Sequence, residues 1–204
     1  MIEILTPRAL WLASLSLLAA VGLSGCGSNS FSFGGDTRNQ MIVSVRDQKM
    51  LLIHDGTPVK SYKISTSKFG IGDRPGSNCT PLGRLQVAKK IGDNAAIGSV
   101  FKSRRPTGEV IKPNAPGRDP VVTRILWLTG TESRNQNTFR RTIYIHGTPE
   151  ERRLGSPASY GCIRMGSRDI ADLYGRIGTG ADVFVIRDSI QTKSKSKSQA
   201  SASL

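Results

Sequence analysis

Apolar residues recur at every second position through most of this chain, in runs too short to be anything but strands. "MIVSVRD" (41–47), "MLLIHD" (50–55) and "VKSYKIST" (59–66) come first, parted by the turn residues "DQK" and "DGTP". "RLQVAKKI" (84–91), "VVTRILWLTG" (121–130), "RTIYIHG" (141–147) and "DVFVIRD" (182–188) continue the pattern. A period-two face is buried evenly only in a sheet, so the chain is committed to a mainly β fold. One stretch departs from it. "SRDIADLYGRIG" (167–178) sets Ile170, Leu173, Tyr174 and Ile177 on one helical face, with Ser167 placed to cap the helix and Gly178 to end it. Residues 92–120, rich in Gly, Pro and basic side chains, read as one long loop of the kind that is functional or disordered.

Both ends lie outside this pattern. Arg8, an apolar run over 9–21 and the small residues before Cys26 follow the order of an export signal, expected to span 1–25. The run is short for a bilayer, which takes about 20 apolar residues. Leu23-Ser24-Gly25-Cys26 resembles a bacterial lipobox, which implies lipidation of Cys26 and attachment to a membrane. Gly27 is not the aspartate that retains many lipoproteins at the inner membrane of Gram-negative bacteria. The expected location there is the periplasmic face of the outer membrane. Residues 26–40 read as a lipidated start and flexible tether, 41–188 as one domain, and the Lys/Ser-rich 189–204 as a solvated tail.

The formal net charge is +14, from 29 Lys and Arg against 15 Asp and Glu, and Glu3 cancels Arg8 so that the exported part keeps it all. Such a charge favours an anionic partner. Nucleic acid is not expected, because no basic face with interleaved aromatics and no recognisable binding module is present. Cell wall or membrane surface fits an exported chain better.

Cys162, in "ASYGCIRM", is open to four readings: nucleophile, metal ligand, disulfide partner or small buried side chain. A zinc site wants four Cys or His ligands in close pairs, and His54, His146, Cys79 and Cys162 form none, so no metal is expected. A disulfide from Cys79 to Cys162 suits an oxidising compartment. A nucleophile suits the local sequence: Gly161 lets a substrate approach the backbone, the following helix starts nearby, and His146 ends a strand where a base would be held rigidly. At this level nucleophile, bridge and a plain buried cysteine beside a merely hydrogen-bonded histidine all stand.

"IHGT" (145–148) and "SYGCIRM" (159–165), taken together, resemble the signature of the L,D-transpeptidase family with the YkuD-type catalytic domain. That signature is a His followed by Gly or Ser, then Ser-x-Gly-Cys-x-Arg/Asn. "TPLGRLQV" (80–87) is similar to the family's Thr-Pro-x-Gly strand, and "VFKSRRPTGEVI" (100–111) to the loop after it. The resemblance spans roughly 41–187. It implies a β-sandwich or barrel with a helix following the catalytic cysteine, and cleavage of peptidoglycan stem peptides before D-Ala at position four. It implies Cys162 as nucleophile, His146 as its base steadied by the Gly147 carbonyl, and Ser159, Tyr160 and Gly161 shaping the oxyanion pocket. Arg164 would orient the block or meet a substrate carboxylate, and no cofactor is implied. Tyr160 stands where many relatives carry histidine, and with an ordinary phenol pKa of about 10 it is no second base.

Three functions follow as expectations: a transpeptidase joining the acyl group to a stem peptide, a protein or a D-amino acid; a hydrolase on the same scaffold; and a non-catalytic wall-binding lipoprotein. His54 reads as a surface residue before a turn, and Cys79 as a free thiol near one. Lys102, Arg104 and Arg105 either hold stem carboxylates or keep their loop soluble. Trp127 and Tyr144 read as core.

Overall fold

In a computed structural model that describes residues 35–190, the alternating runs become strands of one ten-stranded sheet. They are β1 (Asn39–Ser44), β2 (Lys49–His54), β3 (Thr57–Ser65), β4 (Gly83–Ile91), β5 (Ser99–Lys102) and β6 (Arg105–Val110). β7 (Val121–Gly130), β8 (Tyr144–Gly147), β9 (Ile163–Met165), the helix α1 (Ser167–Arg176) and β10 (Asp182–Ile186) complete the fold. Among the described residues the fold is mainly β with one α-helix, as the period-two pattern implies. The expected signal segment, the lipidation of Cys26, residues 26–34 of the tether and residues 191–204 of the tail lie outside the described residues.

Sheet order is β4-β10-β1-β2-β3-β9-β8-β7-β5-β6, and β4 also pairs with β7. That last pairing closes a barrel and leaves β5 and β6 as a flap attached to the start of β7. Closure removes the open edges that a sheet must otherwise protect. Two pairs are parallel, β1 with β10 and β8 with β9, and the rest are antiparallel. Asp55 and Gly56, both at positive φ, make the tight β2–β3 turn expected from "DGTP".

The alternation sorts each strand's residues between two environments. Met41, Val43, Met50, Leu52, Ile64, Leu85, Leu126, Leu128, Ile145, Ile163 and Val183 point inward and are almost wholly buried. Ile170, Leu173 and Tyr174 of the helix, and Ile177 just beyond its end, join this cluster. Tyr62, also in the core, donates its hydroxyl to Asp172 of α1 at 2.7 Å. Burial opposes the Asp172 charge, yet hydrogen bonds from Tyr62, Lys60 and Arg176 hold its carboxyl down at about 2.

Both ends of the helix differ from expectation. Gly166 occupies the cap position, and the Ser167 hydroxyl is buried without a hydrogen-bond partner among the described residues. The Ser167 N–H donates instead to Glu151 Oε1 at 2.8 Å, so a carboxylate from the preceding crossover does the capping. The helix ends at Arg176 with Ile177 extended, before Gly178 is reached, and the Gly178 N–H goes to Asp36 Oδ2. Replacing Glu151 by Ala should therefore cost about 1 kcal/mol, read as a lower urea midpoint. An unchanged midpoint would show that water serves this helix end equally well.

The long loop expected over 92–120 is in part the β5–β6 hairpin. Every residue of β6 is exposed, so no alternation marks it, and Pro106 and Gly108 further disguise it.

Candidate active site

The parallel register of β8 and β9 builds the site. Ile145 pairs with Ile163 and His146 with Arg164, which sets Cys162, immediately before β9, beside Tyr144. Side chains alternate, so Ile145, Ile163 and Met165 go to the core while Tyr144, His146, Cys162 and Arg164 share the outer face. On neighbouring β7, Ile125 lies opposite His146 and Trp127 opposite Tyr144. A bulge between Val122 and Ile125 brings about that register. Within it Thr123 has a φ of 71°, a strained value for a β-branched residue, and its buried hydroxyl accepts the Gly98 N–H. The bulge thereby ties the flap to the site.

Cys162 is half-buried against Phe101, Ile125 and Tyr144, which form a small apolar cluster outside the barrel core. Its sulfur accepts the Tyr144 N–H at 3.4 Å and faces the Thr142 carbonyl at 3.6 Å. Burial pushes the thiol up to about 11, against smaller opposing effects of the Tyr144 N–H, Arg164 and Arg141. His146 is buried and its Nδ1 lies 2.8 Å from the Gly147 carbonyl oxygen. Only a protonated Nδ1 can make that bond, so the lone pair of the neutral ring is on Nε2. Burial pulls the imidazole down to about 4, with Arg164 adding to the fall and the Gly147 carbonyl and Asp119 opposing it. Thiol and imidazole are both neutral at pH 7.

Gly147 and Gly161 are fixed by space. A Cβ at Gly147 would lie 2.6 Å from the Val122 carbonyl oxygen. Gly161 has a φ of 120°, and a Cβ there would press on Ile143 at 3.1 Å and on the Cys79 carbonyl at 3.3 Å. Ser159 braces the same turn, accepting the Gly161 N–H at 3.2 Å and donating to the Cys162 carbonyl. Thr80, from the Thr-Pro-x-Gly element, donates to the Gly161 carbonyl at 3.0 Å and accepts the Ser67 N–H at 3.0 Å. That hydroxyl is a physical reason for a threonine at this position.

Arg164 is nearly buried in ion pairs with Asp119 at 2.7 Å and Glu150 at 3.6 Å, and Thr148 donates to the other Asp119 oxygen. Its guanidinium is engaged by the chain's own carboxylates. Tyr160 is 58% exposed and packs on Phe69, with Lys68 Nζ 2.9 Å from its Oη. That lysine holds the phenol below its usual range. Tyr144 is buried as expected, though in the small cluster with Phe101 and Ile125 rather than inside the barrel, and Trp127 is only partly buried against that cluster, stacking on Phe139 with centroids 4.2 Å apart and meeting Tyr144 edge-on. Tyr144 sits two residues before His146, a spacing that by parity alone puts it beside the site.

Cys79 and Cys162 are both free, and the Cys79 thiol turns toward the Phe69 carbonyl at 3.2 Å. His54 is partly exposed, with Asn39 2.9 Å from its Nδ1 and Arg38 3.1 Å from its Nε2. Among the described residues no group of three His, Cys, Asp or Glu side chains is arranged to hold a metal ion, and no helix is long and apolar enough to cross a membrane. Sequence reasoning missed Asp119, Glu150, Asp73 and Arg141, whose partners are distant in the chain.

A search of curated proteins finds no match. Among solved structures, an L,D-transpeptidase from Mycobacterium smegmatis is 17% identical with a TM-score of 0.49, covering 73% of this chain and 58% of its own. An L,D-transpeptidase from Mycobacterium tuberculosis H37Rv is 19% identical with a TM-score of 0.48, covering 74% and 58%. L,D-transpeptidase 3 from Mycobacterium tuberculosis is 18% identical with a TM-score of 0.48, covering 74% and 61%. The chain thus spans about three-fifths of the length of these proteins. The family model for the YkuD L,D-transpeptidase catalytic domain matches residues 38–186, most of the sequence, and the chain belongs to that family.

Proposed function

We propose that this protein is a cysteine acyltransferase of the cell wall: it cleaves a peptidoglycan stem tetrapeptide before its terminal D-Ala and passes the acyl group to an amine. The observation that carries this reading is the shared face of Cys162 and His146 on the parallel pair β8–β9, with the imidazole tautomer fixed by Gly147.

As the sulfur attacks the stem carbonyl, the thiol proton moves to His146 Nε2. The carbonyl oxygen gathers negative charge and is met by the backbone N–H groups of Tyr160 and Cys162, that of Gly161 being given to Ser159, with each donor worth about 3 kcal/mol. Collapse breaks the C–N bond, His146 returns its proton to the departing D-Ala amine, and a thioester remains on Cys162. An incoming amine gives its proton to His146 while attacking the thioester, and the thiol is restored with that proton. Transfer to a stem peptide makes a 3→3 link; transfer to a protein or a D-amino acid uses the same steps. Neutral resting partners suit this cycle, because charge separates only when substrate fills the site. Ser159 and Gly161 hold the turn, and Arg164 orients β9 against β8.

The basic charge of the chain and its leader supply the location: an exported protein lipidated at Cys26, held on a membrane facing an anionic wall. Mass spectrometry of the mature N-terminus tests that part, and an unmodified Cys26 would refute it.

The full chain in detergent, mixed with disaccharide-tetrapeptide and read by mass spectrometry, should yield a dimer lacking one D-Ala. Cys162→Ala should yield none. Tripeptide alone would make the protein a hydrolase, and unchanged tetrapeptide with Cys162 reduced would rule out acyl transfer from this donor.

A further inference from the structure

The turn between β5 and β6 holds an arginine where glycine or asparagine is the ordinary choice. Ser103 and Arg104 both have positive φ, 49° and 68°, as a two-residue hairpin turn requires. Each non-glycine residue there costs about 1 kcal/mol of backbone strain, and strain kept beside a reactive group points to use of the side chain.

The Arg104 side chain reaches back over the site. Its Cζ lies 4.8 Å from the Trp127 ring centroid, and its Nη1 is 3.3 Å from Tyr144 Oη. The N–H of the same tyrosine meets the Cys162 sulfur at 3.4 Å. The guanidinium therefore stands about one tyrosine side chain from the nucleophile. Arg141 and Arg164, the two arginines whose charges act on the Cys162 thiol, are paired with Asp73 and Asp119. Among the described residues no carboxylate pairs with Arg104. One of the five N–H donors of a guanidinium goes to Tyr144, and contact with an aromatic face consumes none.

We propose that Arg104 is a specificity-determining residue that binds the terminal carboxylate of the peptide donor, one residue beyond the carbonyl that Cys162 attacks. A residue advances the chain by about 3.5 Å, so a carboxylate at that position falls within the reach that the Tyr144 side chain spans. The planar fork of a guanidinium matches a carboxylate in two parallel hydrogen bonds. The inference rests on the acyl-transfer reading for the identity of the peptide.

Binding without turnover separates the two. Full-length Cys162→Ala protein in detergent is titrated calorimetrically with disaccharide-tetrapeptide and with the same compound amidated at the D-Ala carboxyl. The acid should bind about tenfold more tightly, the size of one exposed charge-assisted contact. Adding Arg104→Gln should bring the ratio near one. Arg104→Gly should do the same, and it relaxes the turn instead of straining it. A ratio that survives either substitution, an initial ratio near one, or no binding of the acid overturns the inference. If the ratio behaves as expected while the unsubstituted enzyme releases no D-Ala, the carboxylate site stands and acyl transfer falls. If D-Ala is released while the ratio is unaltered by substitution, acyl transfer stands and the carboxylate site falls.

Discussion

Replacement of His146 by glutamine should slow acylation of Cys162 by about 10³- to 10⁴-fold at pH 7 and convert a flat pH profile into a rising one. Burial is the main reason the thiol stands at about 11, and His146 is not among the causes. Without a base, reaction depends on thiolate formed by solvent, a fraction of about 10⁻⁴ at pH 7 for such a thiol. Under the proposed mechanism the proton of the unsubstituted enzyme passes directly to Nε2, and the neutral imidazole is the competent form. Because burial and Arg164 hold His146 near 4, that form persists through the whole neutral range and is lost only as pH falls toward 4. The rate should therefore be level from about pH 5 to about pH 10 in the parent and climb about tenfold per pH unit in the variant. Intact-protein mass spectrometry of the acyl-enzyme over a pH series reads both. A variant within tenfold of the parent, or one with a flat profile, would remove His146 from the role of base.

That the Cys162 and His146 motifs stand out in the sequence, while their electrostatic surroundings do not, follows from how each is encoded. "IHGT" and "SYGCIRM" are contiguous, and the strands were legible because burial on one face imposes period two. Closure was not legible. The β4–β7 and β1–β10 pairings join segments far apart, and nothing local to either strand announces its partner. β9 has three residues, too few to show any period, yet its parallel register with β8 is what aligns Cys162 with Tyr144 and His146 with Arg164. Ser167 was a sound local choice for a cap, but the Glu151 carboxylate arrives from another segment and displaces it. Tyr144 and Trp127 are apolar and alternate as core residues do; only the second face of β7 and β8, covered by the flap, makes them neighbours of Cys162.

The least legible element of the site should also be the most costly to break. Arg141 and Asp73 are separated by 68 residues and meet at 2.9 Å, both nearly buried. Arg141 also donates to the carbonyls of Gly72 at 2.9 Å and Cys79 at 2.7 Å. The second Asp73 oxygen accepts the Asn137 N–H at 2.6 Å. This network pins the 66–82 segment to the turn before β8, and the Cys79 carbonyl it holds is the surface on which Gly161 rests. Asp73→Ala leaves a buried guanidinium without its counter-charge, which costs about 3–5 kcal/mol. For a domain of this size the melting temperature should fall by roughly 10 °C. Adding Arg141→Met should recover much of that loss, since the stranded charge rather than the missing bond is the main penalty. Thermal unfolding of the two single variants and the double variant forms the cycle that separates these terms. Additive losses in the double variant would mean that the two residues stabilise the floor of the site independently, and that no buried ion pair holds it.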